Sequence, residues 1–310
     1  MQRTRITRNT APQSLDAIFD KFITEKKVMG ASEPTLYTYT DTFKMFKKHT
    51  DTEQIDKDVV MSFLAYLTDH YNSTSSINHH IGNLRAFIYY GFDNGLECTP
   101  FKINLVKGQE TVKKTYSDDE LNVLLAKPSE NCSFSEYRDW VIIQTLLGTG
   151  IRAATLLNIQ LKDICLTSGQ LILAHTKNKK AQILPISSTL NKALKTYISL
   201  YRDENETESY LFPNVYNEQM KYSALRLAIS RYNQSRGVKL TSIHAFRHTF
   251  AKKFILNHGD AMVLQRLLGH SSIEMTRRYV NLYSTDLSKE YDTYCPLDSM
   301  MPKSKKFAIK

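Results

Sequence analysis

Apolar residues return every three or four positions through most of this 310-residue chain, and one segment, Gly169 to Ile186, breaks that rhythm. A period near 3.6 marks helices with one buried face, whereas short apolar runs around a polar turn mark paired strands. The chain is therefore expected to be mainly α with a small β-hairpin or sheet, an α+β fold. Leu15, Ile18, Phe19, Phe22 and Ile23 form the first stripe. Leu36, Tyr39, Phe43 and Phe46 form the second, behind the start signal of Ser32 and Pro34. Val59, Val60, Phe63, Leu64 and Leu67 give a third, and Ile77, Ile81, Leu84 and Ile88 a fourth that Gly95 stops. Four short amphipathic helices of this kind make a compact bundle.

Residues 98–115 carry a Pro, a Gly and Lys102, Lys107, Lys113 and Lys114, and read as an extended linker. A second domain then opens on the capping box Ser117–Glu120. A long apolar helix follows from about Tyr137 to Leu147, ended by Thr149 and Gly150. Leu171–Leu173 and Gln182–Ile186 flank the polar turn Thr176–Lys180, a hairpin with a basic tip. Helices resume near Leu190 and run to about Tyr283, and the tail carries Lys303, Lys305, Lys306 and Lys310.

The net charge of +10 attracts polyanions, so nucleic acid or an anionic membrane surface fits as a partner. Cys98, Cys132, Cys165 and Cys295 are scattered without metal-ligand spacing, which fits reduced thiols and no bound metal. The first ten residues are basic but lack an apolar core, and the apolar run Trp140–Leu147 is too short to span a bilayer. A soluble cytoplasmic protein, associated with the nucleoid when bound to DNA, is the expectation.

The chemistry concentrates between His244 and Tyr279. In H-A-F-R, His244 and Arg247 share a helix face, while Phe246, Phe250, Phe254 and Ile255 form the stripe that buries the helix. An arginine fork matches two phosphate oxygens at once. His248 lies one step round the helix and reads as a structural histidine. Asp260 caps a helix carrying Leu264, Leu267 and Leu268, Gly269 ends it, and His270 sits at the corner that follows. Ser271 and Glu274 form a second capping box ahead of Tyr279. Upstream, Arg152 follows a helix-ending glycine, and Lys177 sits at the hairpin tip; each also fits an ordinary solvated side chain.

Together the pieces TGIRAATLLNIQLKDI, HTKNKKAQILPI, IHAFRHTFAKKFILNHGD and LQRLLGHSSIEMTRRYV resemble the tyrosine recombinase (phage integrase) family, in its order and with compatible spacing. The looser likeness of the N-terminal bundle extends the resemblance over roughly residues 13–285. It implies an N-terminal four-helix, SAM-like core-binding domain and a C-terminal catalytic domain, closed as a C-shaped clamp on duplex DNA. The implied map is a basic tail at 1–12, the core-binding domain at 13–97, the linker at 98–115, the catalytic domain at 116–285 and a tail at 286–310 that docks in trans. With only about 12 residues ahead of the first helix, no separate arm-site-binding domain is expected, while Arg3, Arg5 and Arg8 are expected to be able to touch DNA.

By resemblance Arg152 and Arg247 grip the phosphate, Lys177 is the mobile hairpin lysine with Lys179 and Lys180 as close neighbours, and His244 and His270 complete the site. Tyr279 matches the nucleophile, with Tyr283 one turn on as the fallback. One position departs: Thr155 stands three residues after Arg152, where the family usually has an acidic residue. The implied activity is cleavage and rejoining of DNA through a 3′-phosphotyrosine, without metal, cofactor or ATP. His244 then receives the phenolic proton or binds phosphate, and Lys177 protonates the leaving oxygen. Implied partners are double-stranded DNA with specific core sites and a homotetramer on two sites; an accessory directionality factor is compatible with that class. Integration or excision of a mobile element or phage is the leading role. A dimer resolvase, a type IB topoisomerase-like enzyme and a non-catalytic DNA-binding regulator are the alternatives.

Overall fold

The computed structural model describes residues 14–50, 52, 54–108, 113–173, 181–203, 205–270 and 272–283, with backbone alone at 278 and 280–283. The hairpin tip with Lys177, Lys179 and Lys180, the capping residue Ser271, the N-terminal arginines and the C-terminal tail lie outside the described residues. The chain divides into two compact units, residues 1–111 and 112–310.

Four helices build the first unit: α1 (Leu15–Val28), α2 (Glu33–Thr50), α3 (Lys57–His70) and α4 (Thr74–Asp93). Each periodic stripe becomes the buried face of one helix. Ser14 and Asp56 cap α1 and α3 by accepting from Ala17 N and Val59 N, which satisfies amides that a helix start leaves unpaired. Phe19, Phe22, Phe43, Phe46, Phe63 and Phe87 fill the core. Phe19 stacks on Phe43 at 3.8 Å, and Phe87 meets both at 5.2 Å, edge to face, the arrangement that aromatic quadrupoles favour. The first half of the expected linker packs on this bundle. Ile103 is buried and its amide donates to Tyr89 Oη at 3.0 Å, while Asn78 exchanges two hydrogen bonds with the backbone of Val106.

The second unit holds α5 (Asp118–Leu125), α6 (Phe134–Thr149) and the single turn α7 (Ala153–Leu156). A three-stranded sheet follows: β1 (Ile164–Cys165), β2 (Gln170–Leu173) and β3 (Gln182–Pro185). Then come α8 (Ser188–Tyr201), α9 (Tyr222–Ser235), α10 (Ile243–Leu256), α11 (Ala261–Leu268) and α12 (Ile273–Tyr283). The strands are antiparallel in the order β1-β2-β3, with Leu171 opposite Leu184 and Ile172 opposite Ile183. Leu171, Leu173 and Leu184 point inward, and Ile172 and Ile183 point to solvent. The sequence marked a hairpin; β1 is a two-residue addition too short to carry a period of its own.

The α6 helix is buried nearly all round and packs against α8, α9 and α10. A helix apolar on every side belongs in a core, and Val141, Ile142 and Ile143 are fully enclosed. Two helix boundaries of this unit matter to function. The capping box at Ser117 starts α5 as expected, and Gly150 ends α6 in the left-handed conformation at φ 64°.

Candidate active site

The site is assembled where α10 crosses the end of α6 and the corner between α11 and α12. Gly150 matters twice there. A Cβ on it would lie 2.4 Å from Phe250 Cδ1 and 2.9 Å from Leu268 Cδ2, and its positive φ disfavours any side chain. The turn it allows lets the chain double back, so that Arg152, the residue before α7, emerges half-buried beside α10.

Arg247 is 7% exposed. Its Nη1 donates to Gly150 O and its Nη2 to Leu268 O, both at 2.8 Å. Two of its five donors thus tie α10 to the ends of α6 and α11, and the rest remain for an anion. Burial, and then the charge of Arg152, push its pKa down to about 10, with Tyr279 acting the other way; it stays cationic at neutral pH. His244, one turn earlier, is exposed at the helix start. Surrounding protein and the charges of Arg247 and Arg152 still hold it below the ordinary imidazole value. The two residues share a face as expected, but it is Arg247 that goes inward.

The start of α10 is itself anchored. Tyr116 stacks on Phe246 at 4.3 Å, its hydroxyl donates to Ser242 O at 3.1 Å, and its amide donates to Thr249 Oγ1 at 2.9 Å. Asn233 of α9 donates to the same Tyr116 hydroxyl and to Leu240 O. One tyrosine thereby fixes the rotation of the helix that carries His244, Arg247 and His248.

Asp260 caps α11 as the sequence indicates, accepting from Met262 N and Val263 N, and Gly269 ends it at φ 59°. The last carbonyls of α11 are covered by two separate elements. Gln182 of β3 donates through Nε2 to Leu267 O at 2.9 Å and to Arg266 O, while Arg247 takes Leu268 O. The sheet is thereby pinned to the corner that presents His270. There His270 Nδ1 pairs with the fully buried Thr276 Oγ1 at 2.8 Å, which leaves Nε2 as the ring nitrogen for a ligand. Burial, then Arg247 and Arg152, lower His270 to about 4.

Tyr279 is 8% exposed and packs with Ala251, Leu264 and Leu268. The His270 ring lies parallel to it, 6° between planes and 6.3 Å between centroids. His248 Nδ1 stands 2.7 Å from the Tyr279 hydroxyl. His248 is the residue that sequence reasoning set aside. The contact joins α10 to a residue 31 positions later, and only its place beside Arg247 hinted at it. Thr155 is half-buried and lines a cavity of about 420 Å³ with Asn158, Gln160, Lys162 and Asp163. Asp163 does not stand in for the missing carboxylate there, since it is engaged in capping Gln160 N at 2.9 Å.

The structure therefore gathers Arg247, His270 and Tyr279 at one corner, with His244 and Arg152 close enough to act electrostatically. Buried donors, two neutral imidazoles and an enclosed phenol suit the binding and attack of a phosphodiester. Among the described residues no group of three or more His, Cys, Asp or Glu side chains could hold a metal. Among them, too, no helix is long and apolar enough to cross a membrane.

Fold and site define a DNA strand-exchange enzyme of the tyrosine recombinase class. The phage integrase family model matches residues 114–285 and the phage integrase SAM-like domain residues 14–102; the chain belongs to the phage integrase family. Tyrosine recombinase XerD of Chlamydia trachomatis serovar D is 28% identical over 280 residues, covering 87% of this chain and 92% of that protein. Tyrosine recombinase XerC of Thermodesulfovibrio yellowstonii is 27% identical, covering 86% and 92%. Among solved structures, the Tn1549 transposon integrase in complex with transposon right-end DNA shares the fold. It has a TM-score of 0.71 and 17% identity, over 91% of this chain and 99% of that one. A lambda integrase dimer bound to a core site superposes at a TM-score of 0.69 with 15% identity, covering 86% and 95%.

Proposed function

We propose that this chain cleaves and rejoins double-stranded DNA at specific core sites through a 3′-phosphotyrosine at Tyr279. The observation that carries the proposal is the buried Tyr279, its hydroxyl 2.7 Å from His248 Nδ1 and its ring parallel to that of His270, at the same corner as the buried fork of Arg247. A phenol ionises near pH 10, so attack at neutral pH needs a base and a cationic phosphate site. Arg152 and Arg247 offset the negative charge on the nonbridging oxygens, and His270 adds a hydrogen bond. His244 stands at the helix start as a phosphate ligand. As Tyr279 Oη bonds to phosphorus, the bond from phosphorus to the 5′ oxygen breaks, and Lys177 protonates that oxygen. The covalent bond conserves the phosphodiester energy, so resealing by another strand's 5′-hydroxyl needs no ATP.

Two sites and four protomers acting together, within domain limits of 13–97 and 116–285, complete the proposal. Integration or excision of a mobile element is the favoured role. The likeness to proteins named XerD and XerC supports dimer resolution as the second reading. The test is covalent capture on nicked duplexes selected from a random-sequence library for binding to the protein. Wild type becomes DNA-linked, Tyr279→Phe does not, and Tyr283→Phe still does. If wild type binds its selected site yet never links to it, the chain is a non-catalytic regulator. Strand exchange between two copies of the selected site separates recombination from topoisomerase-like relaxation.

A further inference from the structure

His248 follows Arg247 on α10, and its ring closes on the reacting oxygen of Tyr279. We propose that His248 is a further catalytic residue, the one that takes the phenolic proton of Tyr279 as the phosphotyrosine forms, with His244 left to the phosphate. The proposal rests on Tyr279 being the nucleophile.

The geometry is that of a donor phenol and an acceptor imidazole. His248 Nδ1 lies 2.7 Å from Tyr279 Oη, with the rings tilted by 41° and 5.8 Å between centroids. For Nδ1 to accept, the ring must be neutral with its proton on Nε2. The surroundings enforce that state. The groups facing His248 are Lys113 from the segment before α5, His244 and Arg247 on its own helix, and Tyr279 on α12. Burial first, and then the charges of Lys113, His244 and Arg247, hold its pKa down to about 4. His270 has its Nδ1 committed to Thr276 and its ring plane parallel to the tyrosine. It is oriented to stack, and His248 to receive.

A base held this low is idle in the empty site and becomes competent on binding. A phosphodiester between Arg152 and Arg247 brings negative charge next to His248 and raises its proton affinity. Nucleophile activation is thus coupled to occupancy, and the phenol stays protonated without DNA. In the forward step the O–H bond of Tyr279 breaks and the proton passes to His248 Nδ1. Tyr279 Oη bonds to phosphorus, and the electron pair of the breaking bond leaves on the 5′ oxygen, which the general acid protonates. Resealing runs in reverse, with His248 returning the proton to the departing tyrosine.

The experiment uses the full chain and a nicked duplex selected from the random library. Variants are His248→Asn, which keeps an acceptor near the Nδ1 position but cannot take the proton, and His248→Ala. Expected for His248→Asn is unchanged DNA affinity and urea midpoint, with covalent linkage slowed about 10²–10⁴-fold, the usual range for a lost general base. The acidic limb of the wild-type pH–rate profile should disappear, and imidazole should partly restore His248→Ala. Linkage by His248→Asn within threefold of wild type, with the same pH profile, would overturn the proposal and leave the recombinase assignment standing. Absence of any linkage by wild type would sink both together.

Discussion

Arg247 donates to the carbonyl oxygen of Gly150 across 2.8 Å, tying the middle of α10 to the left-handed turn that ends α6. The same turn delivers Arg152, so this hydrogen bond and one glycine relate the two arginines of the site. Replacing Gly150 by Ala forces a Cβ to within 2.4 Å of Phe250 at a φ that L-residues avoid. Left-handed strain and overpacking together should destabilise the protein by about 2–5 kcal/mol. A large drop in the urea midpoint checks this, and a wild-type midpoint would mean that the turn relaxes freely.

Arg247→Lys separates charge from geometry. A lysine keeps the cation but loses the fork that holds Gly150 O and Leu268 O while facing phosphate. Covalent linkage to DNA should fall about 10²–10³-fold, the usual loss for one charge-stabilising donor. Stability should fall by about 1–3 kcal/mol, because two carbonyls lose a partner in a buried place. Retained linkage with lost stability would make Arg247 a structural clamp alone.

Parts of this site were legible before any coordinates, for reasons that differ residue by residue. Gly150 and Gly269 announce their turns because helix ends favour a left-handed residue, and Asp260 announces its cap because it can accept from the first free amides. The i, i+3 relation of His244 and Arg247 fixed a shared face but not which one turns inward; that depends on the carbonyls of α6 and α11, 97 and 21 residues away. The pairing of His248 with Tyr279 was illegible for the same reason, since nothing in the spacing within α10 specifies what α12 brings. Strand β1 has two residues, and its pairing with β2 leaves no periodic trace in the sequence.

Gln182 offers a test of the sheet as a support. Its Nε2 covers Leu267 O and Arg266 O at the end of α11, next to the corner that presents His270. Gln182→Leu keeps the strand and most of the volume while removing the donor. The expected cost is about 1 kcal/mol, the net worth of an ordinary hydrogen bond. Linkage should slow more than that cost implies, because His270 loses its fixed position. Equal linkage rates for variant and wild type would show that Arg247, Gly269 and Thr276 hold the corner without the sheet.

The histidines predict the acid limb of stability. His248 and His270 are each lowered to about 4 from an ordinary 6.5, and His244 is lowered in the same direction. Below pH 6.5 the unfolded chain takes up protons at His248 and His270 while the native protein does not, until the pH nears 4. The unfolded state binds more protons across that window, so stability rises with pH there and is lost as pH falls from about 6.5 toward 4. Urea midpoints at pH 7.5, 6.0 and 5.0 should decline in order, with little change between 7.5 and 8.5 from this source. Near pH 5, unfolding should take up about two protons from His248 and His270 together. His270→Gln and His248→Gln should each flatten the slope by about one proton, whatever they do to the absolute midpoint. If both variants keep the wild-type slope, these rings are protonated in the native protein at pH 5, and the neutral acceptor at Tyr279 does not exist under those conditions.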